Sequence, residues 1–225
     1  MFKKFTLIIF CLTFLSAFVL AQPDAKPTPT PPTSTKVNQR PTKKSTEPFE
    51  NATVEMMGKQ CVRLETETGN IELEMFPESA PETVRNFLNL VATKAYDTTR
   101  FTRVVPNFVV QGGNISTRDV KTPELIQRAR RTIADEPNLI KHERGILSMA
   151  RPETPNGAST HFFVLLRDSP HLDGSFAAFG RVTSGMEVVE KINNMPVEGD
   201  KPVNPVKLIR AIIFPCAVQP NPTDK

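Results

Sequence analysis

The side chains able to make or break bonds are few, and their spacing is poor for it. His142, His161 and His171 show no paired spacing, and no partner lies beside them in the chain. Ser148 and Ser159 lack the strained Gly-x-Ser-x-Gly turn that presents a nucleophile. Gln111-Gly112-Gly113 is too short for a phosphate-binding loop and opens no helical pattern. The three cysteines, Cys11, Cys61 and Cys216, are too few for a disulfide scaffold, and no Cys/His cluster has zinc spacing. Residue types alone favour a binding module over an enzyme.

The elements that must position these groups begin at Cys61. Val62, Leu64 and Thr66 alternate with Arg63, Glu65 and Glu67, Gly69-Asn70 turns the chain, and Ile71, Leu73 and Met75 alternate with Glu72 and Glu74. That is a hairpin of two half-buried strands. Ser79 and Pro81 start a helix whose apolar residues Val84, Phe87, Leu88, Leu90 and Val91 keep helical spacing to about Thr93. Short strands are expected at 100–105, 108–111, 145–150, 161–166, 177–182 and 206–214, and a second helix at 185–194. Residues 117–131 are charged and aperiodic, and read as an excursion with one helical turn. About eight short strands, two helices and no βαβ alternation give an antiparallel barrel or sandwich with helices on its ends.

The 225 residues carry a formal net charge of +4, and its distribution excludes a nucleic-acid surface. Lys3 and Lys4 charge the first 21 residues, and residues 22–50 carry a further small basic excess; residues 51–225 balance acid against base. Residues 1–21 read as an export signal: two lysines, an apolar run from Phe5 to Leu20, and small residues before Gln22. Cleavage after Ala21 would release the protein to a periplasmic or extracellular space. The alternative is an uncleaved anchor, the only membrane contact foreseen. Residues 22–50, rich in Pro and Thr, bury too little to fold and read as a disordered linker. A folded domain is assigned to 51–217 and a C-terminal tail to 218–225.

The run Phe101-Thr-Arg-Val-Val-Pro-Asn-Phe-Val-Val-Gln-Gly-Gly113 resembles the signature of the cyclophilins, a family of peptidyl-prolyl cis–trans isomerases. The resemblance continues in order through Gly145-Ile-Leu-Ser-Met-Ala150, Ser159-Thr-His-Phe-Phe163, Leu172-Asp-Gly174 and Phe179-Gly180, and spans about residues 58–215. It implies a mainly β fold, a closed eight-stranded antiparallel barrel capped by two helices, with a shallow groove on the barrel wall. It implies an isomerase without metal or cofactor, acting as a monomer on proline-containing segments of unfolded or disordered exported proteins. The competing reading is a non-catalytic proline-peptide scaffold on the same fold.

Position by position, the resemblance makes Arg103 the catalytic arginine. Gln111 would hydrogen-bond the substrate backbone and help hold Arg103. Phe108, Phe163 and Leu172 would floor the proline pocket, with Val109 beside them. Ala150 and Arg151 would meet the peptide backbone. His171 stands where animal members carry Trp, Phe176 where many carry His, and His161 where a Gln precedes the two phenylalanines. In such a barrel the first and last strands are antiparallel neighbours. Cys61 and Cys216 are therefore disulfide candidates in an oxidising compartment, two free thiols being the alternative.

Overall fold

The computed structural model describes residues 47–216. The export signal, linker residues 22–46 and the tail at 218–225 lie outside the described residues. In chain order the elements are α1 (Val54–Gly58), β1 (Gln60–Thr66), β2 (Gly69–Met75), α2 (Pro81–Ala92), β3 (Arg103–Val105) and β4 (Val109–Gly112). After these come α3 (Pro123–Ala129), β5 (Ile146–Met149), β6 (Phe162–Leu165), β7 (Ala178–Ser184), α4 (Met186–Asn193), β8 (Val197–Glu198), β9 (Lys201–Pro202) and β10 (Leu208–Pro215). None of the helices among the described residues is long and apolar enough to cross a membrane.

Eight strands form one curled antiparallel sheet in the order β10-β1-β2-β7-β5-β6-β4-β3. Strand alternation decides its faces. Leu64, Leu73, Val104, Val110, Leu147, Phe162 and Val164 point into the main core, where Phe87 of α2 packs within 5.1–5.4 Å of the Tyr96, Phe162 and Phe179 rings. Each fully buried ring of this kind contributes about 1.5–3 kcal/mol of hydrophobic stabilisation. The N-terminus of α2 has no side-chain cap of its own; the Glu136 carboxylate accepts from the N–H groups of Glu82 and Thr83 instead. A carboxylate there also suits the positive end of the helix dipole.

The sheet does not close, which corrects the expected closed barrel. No ladder joins β3 to β10, the two edge strands. The free edge of β10 is taken by the loop before β3: Thr98 N–H donates to Ile209 O, Leu208 N–H to Thr99 O, and Phe101 N–H to Val206 O. The outer edge of β3 goes to the β8–β9 hairpin, where Val104 N–H donates to Asp200 O at 2.8 Å. These contacts occupy edge groups that closure of the barrel would otherwise have to pair.

Two further helices join the expected pair. α1 is five residues long, capped by Thr53, and α3 is seven, capped by Thr122. α3 buries none of its residues, so no apolar period announces it. The linker also ends earlier than residue 50. Glu47 pairs with Arg128 and Arg131, and Phe49 N–H donates to Asn89 Oδ1, so residues 47–50 pack on α2 and α3. These contacts join residues far apart in the chain, and composition does not register them.

β1 runs antiparallel to β10 with Gln60 opposite Pro215 and Cys61 opposite Phe214. Cys216 N–H donates to Lys59 O, which brings Cys216 beside Cys61. The two are joined by a disulfide with their Cα atoms 5.0 Å apart.

Candidate functional site

The outward faces of β3, β4, β6 and β5 carry the candidate site as one cross-strand row. Arg103 pairs with Gln111, Gln111 with Phe163, and Phe163 with Ser148. A period of two puts all of these on the face opposite the main core. The next row, Val105, Val109 and Leu165, supplies apolar neighbours. These residues belong to a second apolar cluster, with Ile146, Leu172, Phe108 and Phe176, separate from the core behind the sheet.

The turn after β4 depends on Gly113. Its φ is +85°, and a Cβ there would lie 2.2 Å from Thr160 O. Only glycine fits both the backbone and the space, and the Gln-Gly-Gly run thus fixes the end of β4 against the strand that bears Phe163.

A groove of about 190 Å³ is lined by Arg103, Phe108, Val109, Gln111, Ala150, Arg151, Phe163, Leu172 and Phe176. Every expected groove residue is there except His171. The His171 ring packs 5.6 Å from Phe108 but does not line the groove, because the helical turn Pro170–Leu172 turns Leu172 inward and leaves His171 exposed. Phe163 meets Phe176 edge to face at 6.0 Å, and the Arg151 guanidinium lies 5.2 Å over the Phe176 ring. Ala150 N–H is already spent on His161 O. Beyond Gln111, Ala150 and Arg151 the groove continues into a second pocket of about 300 Å³ lined also by Pro152, Gly157, Ser159 and His161. Burial holds the His161 pKa below its usual value, so its ring is neutral at pH 7.

Arg103 is not held by Gln111. Its Nε donates to Asp200 Oδ2 at 2.8 Å, while none of the described residues hydrogen-bonds the Gln111 amide. A larger open cleft of about 770 Å³ lies beside α3; its lining includes Glu47, Glu124, Arg128, Arg130 and Arg131 and no aromatic ring, with Leu125 its one large apolar side chain.

A buried network behind the groove escaped the sequence reading. His142 Nδ1 lies 3.1 Å from Asp173 Oδ1 and Nε2 lies 3.1 Å from Ser148 Oγ, and the Ser148 hydroxyl lies 3.0 Å from Ala177 O. Burial lowers the His142 pKa against the opposing pull of Asp173. The Asp173 carboxylate accepts from the His142 backbone N–H, from the His142 ring and from Lys141, which together hold its pKa at about 2. The network ties Ser148, at the end of the row, to the segment that carries Leu172. Its sequence signals were Ser148 within Gly145-Ile-Leu-Ser-Met-Ala150 and Asp173 within Leu172-Asp-Gly174. No three His, Cys, Asp or Glu side chains among the described residues converge to hold a metal ion.

Asp173→Asn should lower stability at neutral pH and flatten the acid limb of unfolding. The folded pKa is depressed, so the stabilisation is complete above the ordinary value of 3.8 and fades as pH falls towards about 2. Thermal melts of both proteins at stepped pH between 7 and 2 measure this; parallel curves would show that the carboxylate carries no such linkage.

Residues 61–213 match a family model described as cyclophilin type peptidyl-prolyl cis-trans isomerase/CLD. The chain belongs to the cyclophilin family. A peptidyl-prolyl cis-trans isomerase of Acinetobacter baylyi is 36% identical over 160 residues, covering 66% of this chain and 82% of that one. The Arabidopsis thaliana isomerase CYP18-2 is 40% identical over 156 residues, covering 68% and 93%. Among solved structures, a Cryptosporidium parvum cyclophilin superposes with a TM-score of 0.62 at 28% identity, covering 70% of this chain and 99% of its own. The same parasite cyclophilin in the presence of the dipeptide Ala-Pro gives 0.60 at 29% identity, covering 68% and 98%. Like its cyclophilin relatives, the chain is a peptidyl-prolyl cis–trans isomerase.

In this cyclophilin Phe163 is 6% exposed, with one face on the groove. Phe163→Ala should cost about 3 kcal/mol, the lower end for a buried phenylalanine, because water can fill part of the space. It should also weaken binding of proline peptides. Urea unfolding and peptide titration read the two effects; a stable variant with intact binding would place the proline pocket elsewhere.

Proposed function

We propose that Arg103 is the catalytic donor and that the apolar groove beside it seats the proline ring of an X-Pro segment. Rotation about the X-Pro bond breaks amide resonance against a barrier of roughly 18–20 kcal/mol. No covalent bond is made or cut. The planar prolyl nitrogen has no usable lone pair and gains one as the bond twists. A donor aimed at that nitrogen therefore binds the twisted state better than either planar isomer, which is what lowers the barrier.

The observation that carries this reading is the state of the Arg103 side chain. It lines the groove, its Nε is engaged by Asp200, and its two Nη groups hydrogen-bond none of the described residues. Gln111, one strand over in the same row, offers its amide to the peptide backbone. Phe108, Phe163, Leu172 and Val109 desolvate the ring. The dipeptide Ala-Pro present with the Cryptosporidium cyclophilin supports the same class of ligand here. Titrating isotope-labelled protein with an Ala-Pro peptide tests the placement: resonances of Arg103, Gln111 and Phe163 should shift, and a response confined to the α3 cleft would reject it.

The same proposal extends to the cell. With residues 1–21 as a cleaved signal, the enzyme acts on exported, unfolded proteins beyond the membrane, held off by the Pro/Thr linker. The disulfide supports an oxidising compartment. Mass analysis of the protein made in its own cells should find a chain beginning at Gln22; a full-length chain in the membrane fraction would favour the anchor.

A further inference from the structure

The β8–β9 hairpin turns at Gly199, whose φ is +66°, and presents Asp200 to the outer edge of β3. Asp200 grips that strand twice. Its carbonyl accepts from Val104 N–H at 2.8 Å, and its Oδ2 accepts from Arg103 Nε at 2.8 Å. The backbone bond fixes where the carboxylate stands relative to β3, and the carboxylate fixes the guanidinium. Ninety-seven residues separate the pair, so the arrangement is a product of the fold and not of a local turn.

We infer that Asp200 is the positioning residue for Arg103, holding the guanidinium by its Nε edge so that both Nη groups face the groove. This rests on the reading of Arg103 as the catalytic donor. An arginine side chain that is 42% exposed has many rotamers open to it, and most of them turn the donors to solvent. A flexible donor must be ordered in each catalytic event; a pre-oriented one need not be. Engaging Nε is the one anchorage that leaves the paired Nη edge whole. The groove's apolar residues seat the proline whether or not the guanidinium is aimed, so the role of Asp200 lies in the rotation step and not in ground-state binding.

The ion pair is half exposed on both sides, so its removal should leave the fold in place. Asp200→Ala should lower kcat about tenfold with KM within about twofold, the pattern for an interaction that matters only in the transition state. Asp200→Asn keeps an acceptor at the same position and should recover most of the loss, whereas Asp200→Lys should lose at least as much as Asp200→Ala. The decisive arm is the double variant. With Arg103→Ala in place, Asp200→Ala should change nothing further, because the only route by which it acts is gone. Equal kcat in wild type and Asp200→Ala, or a second loss of the same size in the Arg103→Ala background, would overturn the inference while leaving Arg103 as donor. Full turnover in Arg103→Ala alone would overturn the reading on which it rests, and the two failures are therefore distinct. If Asp200→Ala melts early, the Asn and Lys variants carry the same comparison.

Discussion

Arg103→Ala is expected to lower kcat/KM by about ten- to a hundredfold without unfolding the protein. A hydrogen bond from a charged donor contributes about 1.5–3 kcal/mol, and each 1.4 kcal/mol in the barrier is a factor of ten. The structural cost should be small. The side chain is 42% exposed, its ion pair with Asp200 is of the kind that adds about 0–1 kcal/mol, and the Val104–Asp200 backbone bond remains. Thermal melts therefore separate the two outcomes: a fold that stays intact while turnover collapses is the predicted result. Unchanged turnover would remove Arg103 from the mechanism.

The largest effect on stability is expected from the Cys61–Cys216 disulfide. It closes a loop spanning 155 positions between the first strand and the segment after the last. In the chain-entropy model a loop of that length constrains the unfolded chain by up to about 5 kcal/mol. Because β1 and β10 also pair along seven positions, the native sheet should survive the loss. Cys61→Ser with Cys216→Ser should thus fold, keep its isomerase activity, and unfold at clearly lower urea than the oxidised wild type. The reduced wild type should match the double variant. Coincident unfolding curves for oxidised and reduced protein would show that the bond carries no stability.

The sequence made some of this legible because the interactions concerned are local. The β1–β2 hairpin announces itself by alternation around Gly69. Arg103, Phe108 and Gln111 fall within a single signature because β3 and β4 are a hairpin, so residues a few positions apart become cross-strand partners. α2 and α4 were legible from their apolar periods, whereas α3, with only the half-buried Leu125 and Ala129 against the core, was foreseen only as one helical turn in a charged stretch. What could not be read depends on chain segments meeting across the fold. Asp200 reaches Arg103 through the β8–β9 hairpin, and His142 finds Asp173 and Ser148 only once two loops pack. His171 was placed in the groove by resemblance, but the turn that carries it directs Leu172 there instead. Closure of the barrel failed for a similar reason. The number of strands does not say whether the edge strands will find each other or be covered by other segments, and here a loop covers β10 and the β8–β9 hairpin covers β3.

The most direct test is to measure cis–trans exchange in an Ala-Pro peptide by exchange NMR, with no protease coupled to it, using the full chain and its Arg103→Ala variant. Uncatalysed exchange takes tens to hundreds of seconds. Substoichiometric wild-type protein should bring it to well under a second without changing the cis:trans ratio, and Arg103→Ala should forfeit most of that gain while still binding the peptide. Exchange that stays at its uncatalysed rate while the wild-type groove is saturated would contradict the account and leave a proline-peptide binding module in its place.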